Sequence, residues 1–259
     1  MAEIASVSQR GKYEPFELQV SRGQVAWHRA ITVFGFNPDV DTAEETVWPG
    51  GGIYVSPSAA TIMKVSSTDA DDTALGTGAR TILIEGLDAS YNEITETVVM
   101  NGQTQVSTTK EFIRINYARV MTAGSSNSAE GTIYIGVGTA TDGVPTTAYQ
   151  IIRFDYNTSV TGHYTIPAGY TGYMDAGSIN VGQVGGSNPV ICRLIISGQS
   201  NIKYSIAIVA LNNGTAQYAF QYPLAIPEKT DIEAAAAGEA ANNFVTSYFN
   251  IVLVKNDGA

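Results

Sequence analysis

The chain of 259 residues carries a single cysteine, Cys192, and two histidines, His28 and His163. One cysteine excludes an intrachain disulfide framework and any cysteine-rich zinc module. Within residues 190–194 (VICRL) it reads as a small buried side chain. Charge is scarce too, at 15% of residues, against about 25% in ordinary soluble domains. Cations are the scarcer sign: 14 Lys and Arg stand against 24 Asp and Glu, a net charge of −10. That balance argues against a protein that holds nucleic acid through its overall field. Low charge combined with many β-branched and aromatic residues also excludes a disordered acidic tail. No apolar run approaches the roughly 18 residues of a membrane-spanning helix, so membrane insertion is not expected. Residues 1–9 include Glu3 and lack the basic-then-apolar order of a secretory leader.

Helical periodicity is nearly missing as well. The one helix-like composition lies in residues 231–242, with four consecutive alanines at 234–237, but Gly238 interrupts it and the stretch is short. The expected form there is a loop leading into a final strand. What the chain has instead is β signal punctuated by turns. Residues 80–85, 93–100, 103–108, 112–121 and 132–137 read as strands, and residues 244–254 as a long closing strand. Asn101-Gly102 between two β-rich runs predicts a tight hairpin, because both central positions of its turn need positive φ. Residues 201–210 alternate and are followed by Asn212-Asn213-Gly214, then Tyr218, Phe220 and Tyr222 at period two. A second hairpin with an inward aromatic face is expected there. Residues 136–147 (GVGTATDGVPTT) look like a linker. The fold class is therefore all-β, with two β-sandwich or jelly-roll-like domains. The divisions expected are an extended N-terminal arm over 1–36, a sandwich over 37–145 and a second sandwich over 146–259.

The search for chemistry gives little. Neither histidine lies in a catalytic motif, and no Gly-x-Ser-x-Gly elbow occurs. Asp69, Asp71 and Asp72 suggest calcium, yet an EF-hand starting at Asp69 would need Gly and Glu where Ala74 and Arg80 stand. A solvated acidic turn is the plainer reading, with a weak cation site completed from elsewhere as the alternative. Asp39, Asp41, Glu44 and Glu45 offer carboxylates of the kind glycosidases pair, but a structural use is favoured. Gly50-Gly51-Gly52 lacks the Lys-Ser/Thr of a phosphate loop, and Gly76-Thr77-Gly78 lacks a third glycine. Both read as turns needing positive φ. Trp27, Trp48 and Tyr54 sit beside turn-rich stretches, as aromatic anchors of interfaces do.

Residues 16–24 (FELQVSRGQ) and 37–54 (NPDVDTAEETVWPGGGIY) resemble virion structural proteins of tailed double-stranded DNA phages. Residues 66–109, 112–115 (FIRI) and 123–131 extend the likeness to about half of the chain. Residues 164–173 (YTIPAGYTGY) and 227–232 (PEKTDI) share it more loosely, and the alanines of 234–241 depart from it. The resemblance implies a non-enzymatic particle component without a cofactor or metal. A capsid decoration, cement or head-fibre protein is expected, bound to the major capsid lattice or other virion proteins as a homotrimer. It would be made in the host cytoplasm and reside in the virion. The alternative is a tail component whose C-terminal β domain binds a receptor or glycan through Tyr164, Tyr170, Tyr173 and Tyr222. Phe16, Arg22, Trp27, Trp48 and Tyr54 are the expected interface residues.

Overall fold

The computed structural model describes residues 14–183, 188–200 and 202–256. One short helix, α1 (Phe16–Ser21), precedes the strands β1 (His28–Val40), β2 (Glu45–Thr46), β3 (Thr61–Ser67), β4 (Ala79–Leu87), β5 (Glu93–Val99), β6 (Val106–Phe112), β7 (Arg114–Ala123), β8 (Ile133–Thr141) and β9 (Val144–Ile152). Seven more follow: β10 (His163–Thr165), β11 (Tyr170–Gln183), β12 (Val190–Ser197), β13 (Lys203–Leu211), β14 (Gly214–Ile226), β15 (Asp231–Gly238) and β16 (Asn243–Lys255). The protein is all-β, as its patterning predicts.

Pairing divides these strands into two sandwiches. In the larger one the antiparallel pairs are nested: β1 with β16, β10 with β15, β11 with β14, and β12 with β13. Cross-links between β11 and β16, and between β12 and β15, gather the pairs into two sheets, β1-β16-β11-β14 and β10-β15-β12-β13. β2 adds to the second sheet against β15. A long antiparallel ribbon rolled up on itself gives this order, which is that of a jelly roll. The last strand shows how sequence dictates it: along β16, Val245, Phe249, Ile251 and Leu253 alternate inward as buried residues. They meet Leu194, Ile232, Ala234 and Ala236 of the facing sheet.

The smaller sandwich is inserted between β2 and β10. Its sheets are β6-β3-β8-β9 and β5-β4-β7. Met63, Val65, Ile133 and Ile135 from one sheet pack on Ile82, Ile84, Val98 and Ile115 from the other.

Five expectations change. Of the arm expected over 1–36, residues 1–13 lie outside the described residues. Residues 16–21 form α1, and β1 pairs along its length with β16, His28 opposite Val254. The N-terminal stretch is thus built into the jelly roll. The linker expected over 136–147 is mostly the β8–β9 hairpin, turned at Asp142 (φ 49°) and Gly143 (φ 81°). A Cβ at Gly143 would also lie 1.8 Å from the Ser67 carbonyl oxygen, so glycine is required twice over. The boundary therefore falls after β9 rather than near 145. The expected Asn101-Gly102 hairpin is absent: β5 pairs with β4 and β6 with β3, so the connection crosses between sheets. The same is true of Asn212-Asn213-Gly214, which takes the chain from β13 in one sheet to β14 in the other. Tyr218 and Phe220 do pack on the core, while Tyr222 is exposed.

The alanine-rich stretch is neither helix nor loop. It is β15, with strands on both sides and Ala234, Ala235 and Ala236 all buried. Small side chains suit a strand covered on both faces, and tertiary packing overrides alanine's helical preference.

Candidate functional site

The residues singled out by sequence scatter over three places. Phe16, Arg22 and Trp27 stay together on the surface at the entry to β1. Phe16 is 50% exposed and sets its ring edge-on to His28 at 5.8 Å, and Trp27 is 47% exposed with φ 63°. Arg22 Nη1 donates to both Glu14 carboxylate oxygens, at 2.6 and 2.8 Å.

Trp48 and Tyr54, expected at a partner interface, are instead buried within the chain. Their rings meet edge-on at 5.2 Å and pack with Ile151 of the inserted sandwich. Tyr54 also stacks on His163 at 4.6 Å. The two aromatics wedge the sandwiches together.

The acidic residues are mostly used internally. Glu45 accepts from Asn37 Nδ2 (3.1 Å), the Asp41 amide (2.9 Å) and the Gly52 amide (2.8 Å). Glu44 pairs with Arg193, while Asp39 and Asp41 are exposed. Asp72 is fully buried and pins the 67–79 loop and its neighbour: it accepts from Ser67 Oγ (2.5 Å) and from the amides of Ala79 (2.6 Å), Glu130 (2.9 Å) and Gly131 (2.9 Å). Asp69 and Asp71 are joined by Glu130, all three carboxylates lying within 4.8 Å of one another. Their oxygens are of the kind calcium prefers, and Glu130 is the member that sequence spacing did not supply. The Gly50–Gly52 turn has the expected positive φ at Gly51 (67°) and Gly52 (61°). Gly78 answers to space instead, since a Cβ there would meet Asp72 Oδ1 at 2.2 Å.

The densest charged cluster lies where the two sandwiches meet, around a cavity of about 510 Å³ lined by Tyr54, Arg114, His163, Lys203, Asp231 and Glu233. Arg114, at the start of β7, reaches across to Asp231 at the start of β15 as a two-pronged pair, Nε to Oδ1 and Nη2 to Oδ2, each 3.0 Å. Thr165 Oγ1 donates to the same carboxylate at 2.5 Å. Asn116 and Thr165 exchange two hydrogen bonds of 3.0 Å. Lys203 Nζ and Thr46 Oγ1 donate to Glu233 at 3.0 and 2.5 Å. Arg114 also lies over the Tyr91 ring, 5.4 Å from its centre.

His163 is buried beside this network, its Nε2 3.8 Å from Asp231 Oδ1 and its Nδ1 without a hydrogen bond among the described residues. Burial pushes the imidazole below its ordinary value, against the pull of Asp231 and Glu233. Burial alone would raise Asp231, but His163 and the Arg114 hydrogen bonds outweigh it and hold the carboxyl below the usual carboxylate range. Both Asp231 oxygens are taken by Arg114, and no described hydroxyl bonds the imidazole. Chemically, this is an electrostatic clamp between domains. Sequence reading missed it because its members are spread from residue 46 to residue 233. The one local signal was the resemblance-bearing Arg114 within FIRI.

The tyrosines named for a glycan site separate too. Tyr164 is buried, Tyr170 is half-buried under Arg29 at 5.8 Å, and Tyr173 and Tyr222 are exposed. Cys192 is buried as expected, and desolvation pushes its thiol up to about 12.

No protein-family model matches the chain. No curated protein matches it either. Among solved structures the chain is weakly similar to the infectious bursal disease virus VP2 subviral particle, at 9% identity and a TM-score of 0.24, over 90% of this chain and 74% of that one. The Gx strain of that virus gives 9% identity and a TM-score of 0.25, over 94% and 78%. Likeness at this level carries no argument, and the jelly-roll assignment rests on the strand pairing itself.

Proposed function

We propose that the protein is a non-enzymatic structural component of a tailed-phage virion, a capsid decoration, cement or head-fibre protein. It sits on the major capsid lattice as a homotrimer, after synthesis in the host cytoplasm, and needs no cofactor. The observation that carries this reading is the nested jelly-roll pairing with a second sandwich inserted between β2 and β10. Jelly rolls are the architecture of viral capsid and lectin domains. The sequence resemblance over half of the chain selects the virion from those uses. The exposed aromatics Phe16 and Trp27, gathered at one end of β1 with Arg22, supply the docking patch.

The lectin use of the fold, together with Tyr222 standing 81% exposed, favours a second reading, a tail component that binds a receptor or glycan.

Immunogold labelling of intact particles tests both. Even gold over the heads, with a solution mass of three times 27.4 kDa, is the expected result. Gold confined to the tail would transfer the assignment to the second reading, and unlabelled particles would overturn both.

A further inference from the structure

Edge strands expose unpaired backbone groups, and proteins ordinarily blunt them with proline, bulges or charge. Three edges here follow that rule. β14 contains Pro223 and faces a register shift, β13 is bulged opposite Leu194 and Ile195, and β9 contains Pro145. β1 does not. It is the other edge of the first jelly-roll sheet, and its register with β16 runs unbroken from His28 to Asn37.

The direction of its free groups can be read from two hydrogen bonds. Lys255 donates to the Trp27 carbonyl, so odd-numbered residues turn their backbone groups towards β16. Phe36 instead donates to Val160, away from β16. Between them, Ala30, Thr32 and Phe34 therefore point their N–H and C=O groups outward, and all three are exposed.

These groups do not face open solvent. They line a groove of about 690 Å³ whose opposite wall is the outer face of the β5-β4-β7 sheet. On that wall Glu85 stands between Thr95 and Tyr117 in register. The other charged groups of the groove are engaged: Arg29 pairs with Glu93, and Lys110 Nζ donates to the Thr95 carbonyl. Glu85 is half-buried, and no described cation pairs with it.

We infer that this groove takes an extended strand from another polypeptide, added antiparallel to the β1 edge, with a lysine or arginine of that strand directed to Glu85. Backbone pairing supplies affinity and the carboxylate supplies selectivity, the division of labour in strand-addition complexes. The wall also explains why an edge left unbroken from residue 28 to residue 37 is tolerated: only a single strand enters, so sheet-to-sheet aggregation is blocked. The inference does not depend on the virion reading.

The test uses the full chain and a fluorescent, end-capped peptide, Thr-Val-Thr-Lys-Thr-Val-Thr, titrated by anisotropy. Saturable binding is expected, and a Lys-to-Glu version of the peptide should bind markedly more weakly. Thr32→Pro removes an outward N–H and leaves the backbone ladder to β16 intact, with loss of the Thr32 Oγ1 bond to Asn250 (3.0 Å), and should weaken peptide binding about tenfold, the worth of a lost buried hydrogen bond. Glu85→Gln, which preserves size, should erase the preference for lysine over glutamate. Thermal unfolding of both variants monitors folding, so Glu85→Gln decides the matter if Thr32→Pro proves unstable. Absence of saturable binding, or binding that neither variant changes, overturns the inference.

Discussion

The two sandwiches are closed in different ways. In the inserted one, partners lie near each other in the chain: β4 pairs with β5 across a five-residue turn, and β8 with β9 across two residues. In the jelly roll the outermost pair joins His28 to Val254, so that sheet is not complete until both ends of the described chain arrive. A sandwich held by short connections forms at low loop-closure cost, whereas nested pairing defers its reward. The difference teaches where independence lies. The inserted sandwich owns a complete core drawn from residues 63–152, while the jelly roll needs residues 28–47 from before the insertion.

Fragments provide the sharpest way to break that contrast. Residues 57–157 should fold alone, with dispersed amide resonances and a cooperative melt. Residues 146–259 lack β1 and β2, leave β16 as a bare edge over an opened core, and should be unfolded or aggregated. A well-folded 146–259 fragment would show that the nested pair β1–β16 is dispensable.

The same contrast governs what sequence could reveal. The Asp88–Asn92 turn and its flanking strands were legible because Asp88 caps its own loop, accepting from the Ser90 and Asn92 amides at 2.8 and 2.9 Å. Alternation in β16 was legible because it is a local property of one buried strand. β1 was not, since Asn37 and Gly35 interrupt its pattern for reasons that lie elsewhere in the chain. Asn37 holds Glu45 (3.1 Å), and a Cβ on Gly35 would meet Ser247 Oγ and the Val47 carbonyl at 2.6 Å. Asn-Gly pairs misled for a related reason: positive φ reports a sharp turn, and it does not say whether the next strand returns beside the last or crosses to the facing sheet. The clamp of Arg114, His163, Asp231 and Glu233 has no local signature at all.

That clamp couples the two sandwiches, and Arg114→Ala should uncouple them. It strands the Asp231 carboxylate, whose side chain is 20% exposed, with Thr165 as its remaining close donor. Removing one partner of a buried pair costs about 3 kcal/mol or more. Calorimetry should then resolve two transitions, with the inserted sandwich's own melt little changed. A single unshifted transition would mean that the Trp48–Tyr54 wedge suffices by itself.

Acid should act on the same seam, more gently. His163 has a folded-state value below the ordinary imidazole value, so in that interval the unfolded chain binds more protons. Stability therefore falls as pH drops through about 6.5, the ordinary imidazole value. Asp231 is held below the usual carboxylate range and adds its loss only at lower pH, with the same sign. Chemical denaturation at pH 7.5 and 5.5 should show the full chain losing stability while the isolated 57–157 fragment, which lacks both groups, loses less. His163→Gln should reduce the difference, and an unchanged pH slope in that variant would remove the histidine from the account.

The smallest effect is expected at the proposed docking patch, on the surface at the entry to β1. Arg22 and Glu14 form an exposed pair, with the arginine side chain 51% accessible. Such pairs contribute about 1 kcal/mol or less to stability. Arg22→Ala should accordingly leave the melting of both sandwiches unchanged. If α1 is a surface for partners, the same substitution should lower incorporation into particles, and Trp27→Ala should lower it further because more contact area is lost. Stability and incorporation falling together would place Arg22 in the fold itself, and normal incorporation of both variants would move the docking patch elsewhere. Set against Arg114, which joins the domains from within, Arg22 thus tests whether stability and partner binding can be separated.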